Sequence, residues 1–122
     1  MRPFPARRGT LVHAVRLACE RADGAALAAL LLRDAVAVFD DGGLAPGVSR
    51  ESRGVPAVVR SVLETVGEPG LLATEQPVNG QTGIVFRRDG AVVAIVCVGI
   101  RSGRVGSLWI VLGELKLRAW NR

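Results

Sequence analysis

A single α+β domain, with about three N-terminal helices packed against a curved antiparallel sheet, is the fold class this sequence predicts. Three observations carry that expectation. Apolar residues recur at helical spacing in three stretches before Gly67. After Gly70 the pattern changes to β-type apolar runs punctuated by Asp-Gly and Ser-Gly pairs. A length of 122 residues, 49% of them hydrophobic, supplies one core and not two.

The first helix is expected over residues 10–21, where Leu11, Val15, Ala18 and Ala22 form an apolar stripe and Thr10 is placed to cap the start. His13, Arg16 and Glu20 make its polar side, the last two in i,i+4 register. Asp23 is suited to cap a second short helix buried through Ala26, Leu27, Leu30 and Leu31, which closes a helical hairpin. "AVAVFDDGG" then gives a strand over 35–39 and a turn, and residues 44–54, with Pro46 and Gly47, read as a loop. A third helix follows, with Pro56 in its first turn, Val59, Val62, Leu63 and Val66 as its buried face, and Gly67 as its stop.

Four strands are expected next, over 71–78, 82–88, 91–100 and 104–112, the last three joined by tight turns at Asp89-Gly90 and Ser102-Gly103. The strand "AVVAIVCVGI" is apolar on both alternating faces: Val92, Ala94, Val96 and Val98 on one, Val93, Ile95 and Cys97 on the other. An antiparallel sheet usually leaves one face wet, so this strand needs two covers. Helices supply one, and a second subunit is the economical source of the other, so a homodimer is expected.

Composition excludes several function classes. The apolar stretches at 25–32, 35–39, 55–66 and 91–100 all fall short of the roughly 18–20 residues a membrane span needs. Residues 1–9 carry Arg2, Arg7 and Arg8 without a hydrophobic signal core, which reads as a short disordered leader on a cytoplasmic protein. Cys19 and Cys97 show no metal-ligand or CxxC spacing and are expected to be buried as small apolar residues, so no metal and no cofactor is predicted. The formal charge is +5, yet the arginines are spread along the chain and tyrosine is absent, which argues against direct nucleic-acid binding.

Three segments carry a family resemblance. "FDDGGL" keeps Asp40, Gly42 and Gly43 of a DGGGK-like turn, "VNGQTGIV" at 78–85 matches a VNGQPG-like segment at all but Thr82, and "GELKLR" retains Lys116, Leu117 and Arg118 of an NPDKL-like segment. With the element order, residues 10–118 resemble the SnoaL-like domain at the carboxyl end of certain actinobacterial extracytoplasmic-function sigma factors. Those domains belong to the nuclear transport factor 2-like superfamily, whose cystatin-like fold is a cone-shaped α+β unit. With nine residues ahead of the first expected helix, the resemblance implies a stand-alone relative of an accessory domain, residues 119–122 forming a tail. It also implies a transcription protein as a partner to consider, reached through Lys116–Arg118.

The resemblance places a pocket between the inner sheet face and the helices, suited to a small apolar ligand. The polar candidates are Asn79, Gln81, Trp109, Asp41 and Arg60 for ligand binding, and Asp40 with His13 for catalysis. His13 is the only histidine and sits on the polar side of its helix, where solvation is the plainer role. Asp40 and Asp41 fit a turn, and Trp109 fits a core. Asn79 and Gln81 share strand parity, either bonding a ligand together or satisfying backbone at a bulge made by Gly80 and Gly83. Related cyclases, isomerases and epoxide hydrolases pair an Asp base with His, Tyr or a second acid; here the sheet carboxylates are nearly confined to Glu75 and the Asp40-Asp41 turn. The expected function is non-enzymatic binding of a small apolar ligand or a protein partner, with an isomerase, cyclase or hydrolase using Asp40 as base the alternative.

Overall fold

The computed structural model describes residues 8–41 and 50–122. Two helices open the chain, α1 (Arg8–Glu20) and α2 (Gly24–Leu30), followed by strands β1 (Leu31–Asp40) and β2 (Arg50–Arg53) and helix α3 (Val55–Val66). Four strands come next: β3 (Leu72–Val78), β4 (Gln81–Arg88), β5 (Ala91–Arg101) and β6 (Arg104–Val111), and then a short helix α4 (Glu114–Leu117) running into a 3-10 turn over Arg118–Asn121. The six strands form one sheet in the order β2-β1-β6-β5-β4-β3. Every neighbouring pair is antiparallel except β1 with β6, which run parallel and make the sheet mixed.

The sequence places α1 through Leu11, Val15 and Ala18, all buried, and Val12 and Cys19 complete the same stripe. Thr10 lies inside the helix instead of capping it, so Arg8 and Gly9 belong to the domain and not to a leader; residues 1–7 lie outside the described residues. Ala22 turns the chain at φ 48° and is exposed. Asp23 caps α2 as expected, its carboxylate accepting from the Ala26 amide at 3.0 Å. Of the α2 stripe, Leu27 is buried, Ala26 is exposed, and Leu31 has already passed into β1, a strand ten residues long and not five. Val58, Val62 and Val66 bury α3 behind Pro56 in its first turn.

Two expectations fail for identifiable reasons. Residues 50–53, read as loop, form β2 against β1; the charged sequence "RESR" hides a strand because it is an edge whose side chains are largely exposed. On β5, Val92 does not share a face with Ala94. The pairing with β4 shifts between Phe86 and Arg87, so that Ala94 faces Phe86 and Val92 faces Arg87, and Val93 is the extra residue of a bulge. Beyond the bulge, Ala94, Val96 and Val98 join the main core, together with Ile84, Phe86, Leu108 and Ile110, under the three helices. Val92 swaps to the opposite face with Ile95 and Cys97.

That opposite face has its own cover. Leu117 and Trp120 pack there with Val78, Val85, Val92 and Ile95. Asn121 fixes the arrangement: its side-chain amide donates to the Val92 carbonyl at 3.0 Å and accepts from the Val92 amide at 2.7 Å. β6 pairs with β5 only as far as Ile95, so the Asn121 carboxamide takes the place of a missing strand. Residues 119–121 are therefore packed structure and not a tail. No helix among the described residues is long and apolar enough to cross a membrane.

Candidate functional site

The segment "VNGQ" folds as a hairpin turn. Asn79 at φ 50° and Gly80 at φ 81° connect β3 to β4, with Val78 paired to Gln81. Both central residues in the left-handed region define the type I′ turn that Asn-Gly favours, because its twist matches the strands it joins. Asp89-Gly90, at φ 50° and 85°, and Ser102-Gly103, at φ 54° and 71°, repeat the geometry between the later strands. Asn79 and Gln81 thus do not alternate along one strand. Asn79 is a turn residue, and Gln81 is the first residue of β4.

Next to this turn the sheet forks. Strands β4 and β5 are paired from Arg88↔Ala91 to Ile84↔Val96 and no further. Continuing that register would set Thr82 opposite Val98, yet the carbonyls of both accept instead from Arg8, at 2.9 and 2.6 Å. The guanidinium at the start of α1 has wedged between the two hairpins and replaced a rung of the ladder. Beside the fork, Gly83 lets β4 lie close to Val78 and β5, since a Cβ there would lie 2.9 Å from Val78 Cγ2 and 3.0 Å from the Val96 carbonyl. Gly99 does the same on β5, where a Cβ would fall on the Ser107 hydroxyl.

The fork opens into a cleft of about 240 Å³. Its walls are the turn and first residues of β4 on one side and Cys97, Gly99, Ser107 and Trp109 on the other, with Arg8 between them. Trp109 is 46% exposed and presents its ring to the cleft mouth, not to a core. Arg8 Nε is buried and has no hydrogen-bond partner. Cys97 is only half-buried; burial pushes its thiol pKa up, and the charge of Arg8 opposes that push. Cys19 behaves as expected, buried within the helical layer with its thiol pushed up to about 12 by burial, the nearby Glu20 adding to the effect.

Of the expected site residues, Asn79, Gln81 and Trp109 meet at this cleft. The others lie elsewhere. Asp40 ends β1 and faces Lys116 of α4 at 3.4 Å. His13, exposed as expected, pairs through Nδ1 with Glu75 Oε2 at 2.8 Å, and Arg16 donates to the same oxygen at 2.6 Å. Glu75 is on β3, four strands away from β1 in the sheet order, so Asp40 and the His13 that pairs with Glu75 are tied to distant parts of the sheet. Arg60 is exposed on α3 and Asp41 is exposed beyond β1. Gly42, Gly43 and Leu44 of the turn motif lie outside the described residues. Sequence reasoning missed Arg8, Gly83, Gly99 and Ser107. The available signal was the pair of glycines on neighbouring strands, which leaves a sheet surface without side chains.

This architecture is the nuclear transport factor 2-like, or cystatin-like, fold. The chain is similar to the extracytoplasmic function sigma factor SigJ of Mycobacterium tuberculosis, at 28% identity and a TM-score of 0.66 over 88% of this chain. The match spans 43% of that sigma factor, less than half its length. A nuclear transport factor 2-like protein of unknown function from Cytophaga hutchinsonii shares the fold over 97% of this chain and 99% of its own, at 13% identity and a TM-score of 0.62. A candidate polyketide cyclase from Sinorhizobium meliloti shares it over 82% of this chain and 92% of its own, at 23% identity and a TM-score of 0.55. No protein-family model and no curated protein sequence matches the chain.

Proposed function

We propose that the chain is a SnoaL-like binding domain that works by holding a small ligand or a protein partner, and that the cleft at the β4–β5 fork is its site. The observation that carries this reading is the convergence of Asn79, Gln81, Ser107 and Trp109 around Arg8, with no carboxylate or histidine in the lining among the described residues. Such a lining can orient a bound molecule through amide, hydroxyl and guanidinium groups. Acid-base chemistry needs titratable groups within hydrogen-bond reach of one another, and the two expected partners for it, Asp40 and His13, are held by different elements.

The proposal includes a homodimer. Val36 and Val38 lie on the sheet face opposite the helices and are only partly buried, beside the area that Leu117 and Trp120 cover. A second copy would complete the cover. A regulatory role toward a transcription protein draws its support from the likeness to the sigma factor. Lys116, expected to mediate such a contact, already faces Asp40.

Chemical-shift mapping of a library of small apolar molecules on the labelled protein tests the site. Hits should move the side-chain amides of Asn79 and Gln81 and the indole of Trp109. Hits that cluster instead around Asp40, or turnover of a bound molecule, would refute the reading.

A further inference from the structure

The charge in this cleft is unbalanced. A guanidinium has five N–H hydrogens, and Arg8 uses two of them on the carbonyls of Thr82 and Val98. Those acceptors are neutral, and among the described residues no carboxylate pairs with Arg8. The remaining polar groups of the lining, Asn79, Gln81, Thr82 and Ser107, are neutral as well. A partly buried positive charge without a counter-charge is costly in a folded protein unless something compensates it. Arg8 is also held rigidly, bridging two strands, which is the condition for a preorganised anchor and not for a mobile surface arginine.

We infer that the cleft receives the carboxylate of a small planar organic acid, with Arg8 as the charged anchor and Trp109 as the surface against which the acid's ring lies. The inference rests on the cleft's being the binding site and adds the chemical class of what it binds. Size supports it: about 240 Å³ is below the range of drug-sized pockets and suits one ring with a short acidic arm. The half-exposed indole offers an apolar face beside the charge, so ring and carboxylate are served by different parts of one depression. The two glycines matter for the same reason. A Cβ at Gly83 would press on Val78 and the Val96 carbonyl, and one at Gly99 on the Ser107 hydroxyl, Val78 and Ser107 both being part of the lining.

The lining also argues against phosphate. A dianion calls for several converging donors, whereas Arg8 has already committed two of its five, and the carboxamides of Asn79 and Gln81 are at the rim.

The test uses the whole chain with benzoate as probe, benzamide as its neutral counterpart and inorganic phosphate as a ring-free anion, read by amide shifts and by Trp109 fluorescence against a Trp109→Phe control. Benzoate is expected to bind at least about tenfold more tightly than benzamide, the size of one charge-assisted hydrogen bond. Arg8→Gln should remove that preference. Because Arg8 also bridges the fork, a second variant guards against a folding failure: Gln81→Glu, at an exposed rim position, should weaken benzoate more than it weakens benzamide. Benzamide binding as tight as benzoate would overturn the carboxylate assignment while leaving the cleft a binding site. Phosphate binding as tight as benzoate would overturn the planar acid. Shifts from neither aromatic probe at the cleft would overturn the site and the inference together.

Discussion

Replacing Asn79 separates turn geometry from ligand contact at the segment where the two readings compete. Asn79 is exposed and holds φ 50°, and it is followed by Gly80 at φ 81°, where an added Cβ would meet nothing within 4 Å. A residue with a Cβ pays roughly 1–2 kcal/mol to enter the left-handed region, and Asn offsets part of that by local hydrogen bonding. Asn79→Ala should therefore cost about 1 kcal/mol, and Asn79→Gly, which has no Cβ, should stay within about 0.5 kcal/mol of the parent. With an unfolding entropy of about 2.1 cal/mol/K per residue over 122 residues, the alanine variant should melt about 4 °C lower. Thermal and urea unfolding followed by circular dichroism give both numbers, and Asp89→Ala, at the same φ in the next hairpin, is the internal standard. A neutral Asn79→Ala, or a glycine variant as unstable as the alanine one, would refute the turn argument. Ligand affinity then decides the rest. If the Asn79 carboxamide contacts ligand, Asn79→Gly loses binding while keeping its melting temperature.

Other consequences follow from single contacts. Asn121→Ala removes both hydrogen bonds to the Val92 backbone and should cost about 1–3 kcal/mol, with faster hydrogen exchange at the Val92 amide as its signature. Gly83→Ala forces a methyl against Val78 and the Val96 carbonyl and should cost about 1–3 kcal/mol, read by urea unfolding, because neither neighbour can move freely. Burial alone would raise the Glu75 carboxyl pKa, but the hydrogen bonds from Arg16 and His13 outweigh it and hold the group below its ordinary value of 4.5. A depressed carboxylate contributes its stability above the unfolded value and loses it as pH falls through the folded one. Glu75→Gln should therefore flatten the stability curve of the protein below about pH 5, measured by urea unfolding across an acid series. For the dimer, Val38→Glu places a charge beside Trp109 on the partly uncovered face and should shift sedimentation toward monomer; unchanged sedimentation of a dimeric protein would exclude that face.

The fold was largely legible because its determinants are local. Asp23 caps a helix, Pro56 starts one, and Asp89-Gly90 and Ser102-Gly103 are turn signals whose effect is settled within four residues. The misreadings share a different cause. β2 is visible only through its pairing with β1, since "RESR" has no strand signal of its own, and the Val93 bulge exists only in the register between β4 and β5. Val92 changes face through that bulge, and with it goes part of the case for a second subunit: the surface it joins is covered, in part, by Leu117 and Trp120 of the same chain.

The cleft was half legible for the same reason. Asn79, Gln81 and Trp109 can be singled out by type, but the residue that organises them comes from the opposite end of the chain, ahead of the first helix that the sequence pattern predicts. Arg8 reaches Val98 across 90 positions of sequence. A sequence pattern reports neighbours along the chain, and a wedge between two hairpins has none. Its role follows only from asking where the carbonyls of Thr82 and Val98 send their hydrogen bonds once the ladder stops. The answer also changes the standing of the amide motif. Asn79 and Gly80 close the β3–β4 hairpin, Gly83 lets that hairpin lean onto β5, and Arg8 holds the two hairpins apart beyond it. The segment "VNGQTG" thus encodes the shape of one wall of the cleft, with Gln81 exposed at its rim.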